Sequence, residues 1–302
     1  MNDMEVSMSI PSYPKILALG NPKIANILSG EVEITEKVDG SMFAFGRIAG
    51  RIDCRSKGVK SLVELPQQMF QEAVDLAYSL QENIPEGYVF YGEWLQKPKH
   101  NSLAYTRRPQ NGLALWAVSK DFVFLPYNGI QDWADLLGVD VVPLLHRGQA
   151  TTEQVMALLD RESYLGGQKI EGVVVKNYAQ PFFLYDTEYT VTPAKYVSEK
   201  FKEVNKENWK KHSGNGPLAS FMESFCTEAR WEKAVQHLRE SGKLESDPRD
   251  IAALIKEVHC DIEKEEEEAI RDWLYRHFSK DIKRTAVRGL PEWYKRKLVE
   301  SL

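Results

Sequence analysis

The residues best suited to chemistry form the stretch Glu36-Lys37-Val38-Asp39-Gly40-Ser41, in which a lysine precedes an acidic residue and a glycine. Apolar alternation over residues 31–35 predicts a β-strand that ends beside Lys37. Asp39-Gly40 predicts a tight turn, and residues 42–48 predict the returning strand of a hairpin. We therefore expect the Lys37 amine at a strand end, beside a glycine that lets a ligand approach the backbone closely. An ordinary solvated lysine is the alternative, because so short a pattern also occurs by chance.

Two glutamates occupy strands that otherwise favour burial. Glu93 lies in the strand predicted over residues 88–95, and Glu171 lies at the start of the strand predicted over residues 170–176. Burying a carboxylate is costly unless it is paired and hydrogen-bonded, so each glutamate needs a partner. That partner is either a ligand or, in the alternative interpretation, a cation of the protein in a structural salt bridge.

Five short stretches, which include these residues, resemble in their order and spacing the nucleotidyltransferase motifs of the covalent ligase and capping-enzyme superfamily. They are Lys37–Gly40, Arg55–Gly58, Phe90–Glu93, Glu171–Lys176 and Ala194–Ser198. The resemblance covers about residues 10–202 and is greatest to ATP-dependent RNA ligases, especially the bacteriophage T4 RNA ligase 2 type and the RNA-editing ligases. It implies an enzyme that joins 3′-hydroxyl and 5′-phosphate RNA ends through a lysyl-AMP intermediate. The implied cofactors are ATP and Mg²⁺, with Mn²⁺ as a substitute.

The resemblance implies that Lys37 is the nucleophile that takes AMP from ATP, with Lys195 as the second catalytic lysine. A lysine attacks only in its neutral form, so the pKa of Lys37 must be lowered by nearby cations or by loss of solvent. A bound Mg²⁺ and Lys195 would both lower this pKa while neutralising phosphate charge. In the same resemblance Glu171 is the metal ligand.

Further side chains are expected around the nucleotide. By resemblance, Glu36 contacts the adenine edge, Trp116 stacks on the base, and Glu93 accepts a hydrogen bond from the ribose. Lys176 and Lys195 would contact the phosphates as point charges. For Trp116, simple core packing is an equal alternative, because a tryptophan in an apolar strand is often buried.

Arg55 and Lys57 resemble the motif that contacts the phosphate or terminal nucleotide of the acceptor RNA strand, and a solvated strand end is the alternative. One position departs from the T4-type pattern, which has two lysines one residue apart in its last motif. Here Val197 stands two residues after Lys195, so either Lys195 acts alone or Lys200 assists it. A nicked duplex RNA, a broken tRNA and an RNA–DNA hybrid all stay open as substrates.

The element patterns predict an α+β fold in two domains. We expect mostly antiparallel sheets over residues 1–205, which the resemblance implies form an ATP-grasp-like nucleotidyltransferase domain, and a small all-helical C-terminal domain over residues 206–302. DNA ligases and mRNA-capping nucleotidyltransferases, the enzymatic alternatives, normally follow this domain with a five-stranded barrel. The helical pattern of the tail therefore favours an RNA ligase. A catalytically silent nucleic-acid-binding module is the non-enzymatic alternative.

Composition limits the partners and the environment. The net charge of −5 restricts RNA binding to a local surface, such as the basic end over residues 271–297. The three cysteines are scattered, which indicates a reducing compartment. The N-terminus has no charged-then-apolar leader, and no apolar run approaches about 18 residues. We therefore expect a monomeric cytoplasmic protein that makes no membrane contact.

Overall fold

Two β-sheets and their helices carry the predicted motifs in the computed structural model, which describes residues 9–63, 68–184, 187–204 and 216–300. The strands are β1 (Leu17–Ala18), β2 (Val32–Lys37), β3 (Ser41–Ile48), β4 (Arg51–Ser56), β5 (Tyr88–Trp94), β6 (Leu113–Lys120), β7 (Val123–Phe124), β8 (Asp140–Val141), β9 (Leu144–Gly148), β10 (Gly172–Asn177), β11 (Phe182–Leu184), β12 (Thr187–Tyr189) and β13 (Thr192–Val197). The helices are α1 (Gln71–Ser79), α2 (Tyr127–Leu137), α3 (Thr152–Ala157), α4 (Gly216–Glu223), α5 (Glu228–Glu240), α6 (Ile251–Ala286) and α7 (Leu290–Glu300). The predicted α+β class, with mostly antiparallel pairing and a helical C-terminal region, is confirmed.

The chain divides into two compact units, residues 1–245 and residues 246–302. Helices α4 and α5 therefore belong to the same unit as the sheets. The boundary predicted at residues 205–206 falls on residues 205–215, which lie outside the described residues, and it stays a prediction. In the second unit Asp247 caps a short turn, and α6 then continues as one helix of 36 residues. Within the described ranges, no helix is both long and apolar enough to cross a membrane.

The first sheet has the strand order β1-β13-β10-β2-β9, and its one parallel pair joins β1 to β13. Because side chains alternate along a strand and paired residues share a face, the sheet has one apolar and one polar face. The apolar face packs into a core and includes Val32, Ile34, Val173, Val175 and Ala194. The polar face carries Glu33, Thr35, Lys37, Lys176 and Lys195. The predicted nucleophile and the predicted phosphate-binding lysines thus share one face.

The second sheet has the strand order β4-β3-β5-β6-β7, with β8 beside β6. Helices α1 and α2 pack against it over a core that contains Phe43, Phe45 and Phe90. Strand β5 crosses the middle of this sheet between β3 and β6. It carries Glu93 next to Met42, one residue beyond the start of β3.

The hairpin predicted around Lys37 is wrong. Strand β2 pairs with β9 and β10, whereas β3 pairs with β4 and β5 in the other sheet. The turn at Asp39 therefore carries the chain from one sheet to the other, and a distant loop rather than a facing strand satisfies its polar groups. The helical spacing of apolar residues over 61–83 predicts one long helix, but α1 covers only Gln71–Ser79, and residues 64–67 lie outside the described ranges.

Candidate active site

Lys37 and Glu171 meet where the two central strands of the first sheet end. Lys37 is the last residue of β2 and pairs with Gly172, the first residue of β10. The Lys37 Nζ donates hydrogen bonds to both carboxylate oxygens of Glu171, at 2.6 and 2.7 Å. The two side chains are 27% and 9% exposed, respectively. The predicted nucleophile is therefore held by the predicted metal ligand, 134 residues away in the chain.

Carboxylates surround Lys37 and set its protonation. Burial disfavours the charged amine, but Glu171, Glu93 and Asp39 outweigh burial and raise the pKa of Lys37 above its ordinary value. Burial raises the pKa of Glu93 to about 8, with Lys37 opposing the shift and Glu171 adding to it. Lys37 is thus protonated in the structure. The sequence suggested nearby cations that lower the pKa of this amine, which stays a prediction, and the carboxylates of the structure act on that pKa in the opposite direction.

Burial raises the pKa of Glu171, and the charge of Lys37 opposes that shift. The Lys195 side chain lies on the same face as Lys37 and opposes the shift more weakly. Lys176 is buried on this face and donates a hydrogen bond to the Trp116 carbonyl oxygen. Its Nζ lies 5.9 Å from the centre of the Trp116 ring. Burial lowers the pKa of Lys176 to about 8, against a smaller opposing effect of Glu33.

Two buried polar atoms near this face fit a nucleotide. Thr35 Oγ1 and Trp116 Nε1 are buried, and neither has a hydrogen-bond partner among the described residues. A buried donor or acceptor without a partner costs free energy, and a nucleoside offers both donors and acceptors. The Trp116 ring also packs edge-on against the Tyr13 ring, with 4.6 Å between the ring centres. Part of the Trp116 side chain therefore belongs to the core. Stacking of Trp116 on the base stays a prediction.

Glu36 lies on the other face of β2, opposite Val173. Its carboxylate accepts hydrogen bonds from the Ser163 hydroxyl and, at 3.1 Å, from the Tyr164 backbone N–H. Burial raises its pKa, and both hydrogen bonds oppose that shift. Because protein groups already occupy both oxygens, contact between Glu36 and adenine stays a prediction.

A loop that follows β5 fixes the turn after Lys37. The Asp39 carboxylate accepts a hydrogen bond from the Leu103 N–H at 2.7 Å, and the Asp39 N–H donates to the Tyr105 hydroxyl at 2.8 Å. The Asn101 side-chain amide donates to the Gly40 carbonyl at 2.8 Å. Sequence analysis missed these three residues, because nothing local to the loop indicates which distant turn it contacts.

Gly40 is required here for close packing rather than for a left-handed backbone. A Cβ at this position would lie 2.7 Å from Glu93 Cγ and 2.9 Å from the Trp94 carbonyl oxygen. The glycine therefore lets β5 approach the turn, which brings the Glu93 carboxylate close to Lys37.

Helix α5 packs on the same turn, which the sequence did not predict. The Gln236 side-chain amide donates to the Gly40 carbonyl at 3.0 Å, and the Ser102 hydroxyl donates to Glu232 at 2.7 Å. Glu240, one turn of the helix beyond Gln236, contributes to the raised pKa of Glu93. This helix is thus part of the candidate site.

The predicted RNA-binding residues lie on and just after β4, the edge strand of the second sheet. Arg55 is half-buried, and its guanidinium donates to the Ile10 carbonyl at 2.8 Å. The Lys57 ammonium lies 3.4 Å from the His237 imidazole on α5. Their role in RNA binding stays a prediction.

The donor set for a metal is small. Among the described residues, no group of three or more His, Cys, Asp or Glu side chains is placed to hold an ion. Mg²⁺ does not need such a cage, because it keeps several water ligands and commonly takes one or two carboxylates together with substrate phosphates. Glu171, buried at the end of β10, fits that kind of site.

Parts of two solved structures are similar to this chain. The Naegleria gruberi RNA ligase structure with PPi matches with a TM-score of 0.48 and 19% identity, over 64% of this chain and 58% of that one. A putative ATP-dependent DNA ligase from Aquifex aeolicus matches with a TM-score of 0.45 and 16% identity, over 83% and 64%. The chain thus spans less than two thirds of the length of either protein. No curated protein sequence matches the chain.

A model of the family described as RNA ligase matches residues 30–197, which is more than half of the chain. This segment begins just before β2 and ends with β13, so it contains both central strands and the lysines of the polar face. The chain therefore belongs to the RNA ligase family.

Proposed function

We propose that this protein is an ATP-dependent ligase that joins a 3′-hydroxyl RNA end to a 5′-phosphate RNA end through a lysyl-AMP intermediate on Lys37. The observation that carries the proposal is the Lys37–Glu171 pair at the strand ends, with Lys195 on the same face of the sheet. A solitary solvated lysine would need no buried carboxylate beside it. The pair therefore supports a chemical role for Lys37.

In the first step the neutral Lys37 amine attacks the α-phosphorus of ATP, a P–N bond forms, and the bond to pyrophosphate breaks. Lys195 and Lys176 would hold the phosphates and balance their charge. A divalent cation at Glu171 would neutralise phosphate charge and compete with Lys37 for this carboxylate, which favours the neutral amine. Glu93, close to the Lys37 turn, would accept a hydrogen bond from the ribose.

In the second step the AMP passes from Lys37 to a 5′-phosphate oxygen, which creates a pyrophosphate linkage at the RNA end. In the third step a 3′-hydroxyl attacks this activated phosphate and AMP leaves. The protein contributes positioning and charge compensation to both steps. Arg55 and Lys57 are the proposed contacts to the RNA, with nicked duplex and broken tRNA as the candidate substrates.

Two observations favour an RNA ligase over the alternatives. The described residues from 216 to 300 are helical and contain no strand from which a DNA-ligase or capping-enzyme barrel would be built. A catalytically silent binding module would require that Lys37, Glu171 and Lys195 lie together on this face by coincidence. From the three scattered cysteines we also propose a reducing, cytoplasmic setting, with the protein acting as a monomer.

The test is covalent labelling of protein freed of bound AMP, with ATP or GTP labelled at the α-phosphate and Mg²⁺. We expect an acid-labile label from ATP that is lost in Lys37→Ala. Lys169→Ala is the matched control, because this exposed lysine pairs only with Asp160 in the described contacts, and it should label like wild type. Folded wild-type protein that takes no label from either nucleotide would refute the proposal.

A further inference from the structure

Two lysines from different elements share one carboxylate beside the candidate site. The Lys195 Nζ on β13 lies 3.7 Å from Glu203 Oε1, and the Lys233 Nζ on α5 lies 2.7 Å from Glu203 Oε2. The Lys233 side chain is only 13% exposed. Arg230, buried on the same helix, donates from its Nε to the Glu203 backbone carbonyl at 3.3 Å. Burial opposes the ionised carboxyl, but these three cations lower the pKa of Glu203 to about 2.

The contacts of α5 fix where Lys233 lies. Gln236 bonds the Gly40 carbonyl at 3.0 Å and Glu232 accepts from Ser102 at 2.7 Å, so the helix is attached directly to the turn that follows Lys37. Lys233 and Gln236 are three residues apart and therefore lie on the same side of the helix. The Lys233 ammonium thus faces the sheet that carries Lys195 rather than solvent.

The last motif of the sheet lacks a cation that its resemblance implies. Val197, two residues after Lys195, shares the polar face of β13 with it and brings no charge. Lys200, the substitute suggested by the sequence, is exposed, and its Nζ lies 5.6 Å from the centre of the Phe201 ring. The cation that shares an anionic partner with Lys195 comes instead from α5.

We propose that Lys233 is a second phosphate-binding lysine, which acts with Lys195 on the triphosphate of ATP and on the pyrophosphate that leaves. The proposal rests on the proposed ligase function. Glu203 accepts a hydrogen bond from the Lys233 ammonium and forms an ion pair with the Lys195 ammonium, as a pair of phosphate oxygens could. Phosphates compete with this carboxylate, and each lysine suits a moving phosphoryl group because its charge is compact and its side chain is flexible.

The test compares Lys233→Met with wild type in single-turnover formation of lysyl-AMP at increasing ATP concentration. Removing one charged phosphate contact should weaken the apparent ATP affinity about 10- to 100-fold, and Lys233→Arg should restore most of it. Lys202→Met is the matched control, because Lys202 is adjacent in sequence to Glu203 but its ammonium pairs with Glu199. This control should change the ATP dependence by less than about twofold.

A second readout separates phosphate binding from a structural role of α5. Sealing of RNA that already carries the activated 5′-AMP needs no triphosphate, so Lys233→Met should seal it at close to the wild-type rate. An unchanged ATP dependence in Lys233→Met, or an equal loss in the sealing of pre-activated RNA, would overturn the inference. Wild-type protein that forms no lysyl-AMP would instead remove the proposed function, and this inference with it.

Discussion

Replacing Gly40 by alanine tests whether close packing of β5 on the turn forms the site. The new Cβ would lie 2.7 Å from both Glu93 Cγ and Leu95 Cδ1, and 2.9 Å from the Trp94 carbonyl oxygen. The Leu95 methyl belongs to a fully buried side chain, Glu93 Cγ lies in the middle of its side chain, and the third atom is backbone, so the strand or the turn must move. Overpacking of this kind costs about 1–3 kcal/mol, and we expect Gly40→Ala to lose that much free energy of unfolding.

Gly58→Ala is the matched control. Gly58 lies in the turn that follows β4, and a Cβ there would meet nothing within 4 Å. Its backbone is not left-handed, so alanine should leave the free energy of unfolding unchanged or raise it by about 0.4–1 kcal/mol, because alanine restricts the unfolded chain.

Urea denaturation measures the free energy of unfolding of wild type and of both variants. The dependence of this free energy on urea concentration should be the same in all three proteins, so that the values can be compared. The same displacement should move Glu93 away from Lys37, so Gly40→Ala should also form lysyl-AMP more slowly than Gly58→Ala. A loss below about 0.5 kcal/mol in Gly40→Ala, the range of an ordinary surface substitution, would refute the packing argument. Equal losses in both variants would refute it as well.

Two further predictions concern charge. Carboxylates hold the pKa of Lys37 above its ordinary value, so below that pKa its neutral fraction grows about tenfold per pH unit. Single-turnover lysyl-AMP formation should therefore rise with pH between about 6 and 9, and a flat wild-type profile would contradict the assignment. The fold lowers the pKa of Glu203 from 4.5 to about 2, and its side chain is 21% exposed. The ionised form of Glu203 therefore contributes about 3 kcal/mol to the free energy of unfolding above pH 4.5. This contribution is lost as the pH falls towards 2. In urea denaturation, Glu203→Gln should therefore have a lower free energy of unfolding than wild type at pH 7 and the same free energy of unfolding at pH 2. A difference of equal size at both pH values would contradict this account.

The polar face of the first sheet was predictable from sequence, because the alternation of apolar and polar residues within each strand determines it. Alternation along β2 and β10 separates the buried valines from Thr35 and Lys37, and a charged residue such as Glu171 stands out beside an apolar strand. These patterns predicted the strands and the α+β class correctly. They also predicted which charged residues needed partners, although the sequence did not show that Lys37 and Glu171 are partners of each other.

The connection after Lys37 was not predictable, because a tight turn between two strands looks the same whether or not the strands pair. The Asp39 carboxylate and the Gly40 carbonyl bond to residues from Asn101 to Leu103, and this long-range contact replaces the hairpin ladder. The place of α5 was hidden for a similar reason. Its helical pattern predicts that it belongs to the C-terminal helical domain rather than to the sheets. Nothing in the sequence around Gln236 indicates that this residue contacts the turn after Lys37.

Two carboxylates, one of them shared by two lysines, explain why the site can keep several lysines close together. Glu171 pairs with Lys37, and Glu203 pairs with Lys195 and Lys233. An ammonium group buried without a partner costs several kcal/mol, so each carboxylate lets the fold hold its lysines in place. When ATP binds with a divalent cation, its phosphates supply negative charge to the lysines and the cation supplies positive charge to the carboxylate. The lysines then exchange one anionic partner for another. On this argument the proposed reaction begins with an exchange of ion pairs, and Lys37 becomes a nucleophile only when Glu171 has another cation to bind.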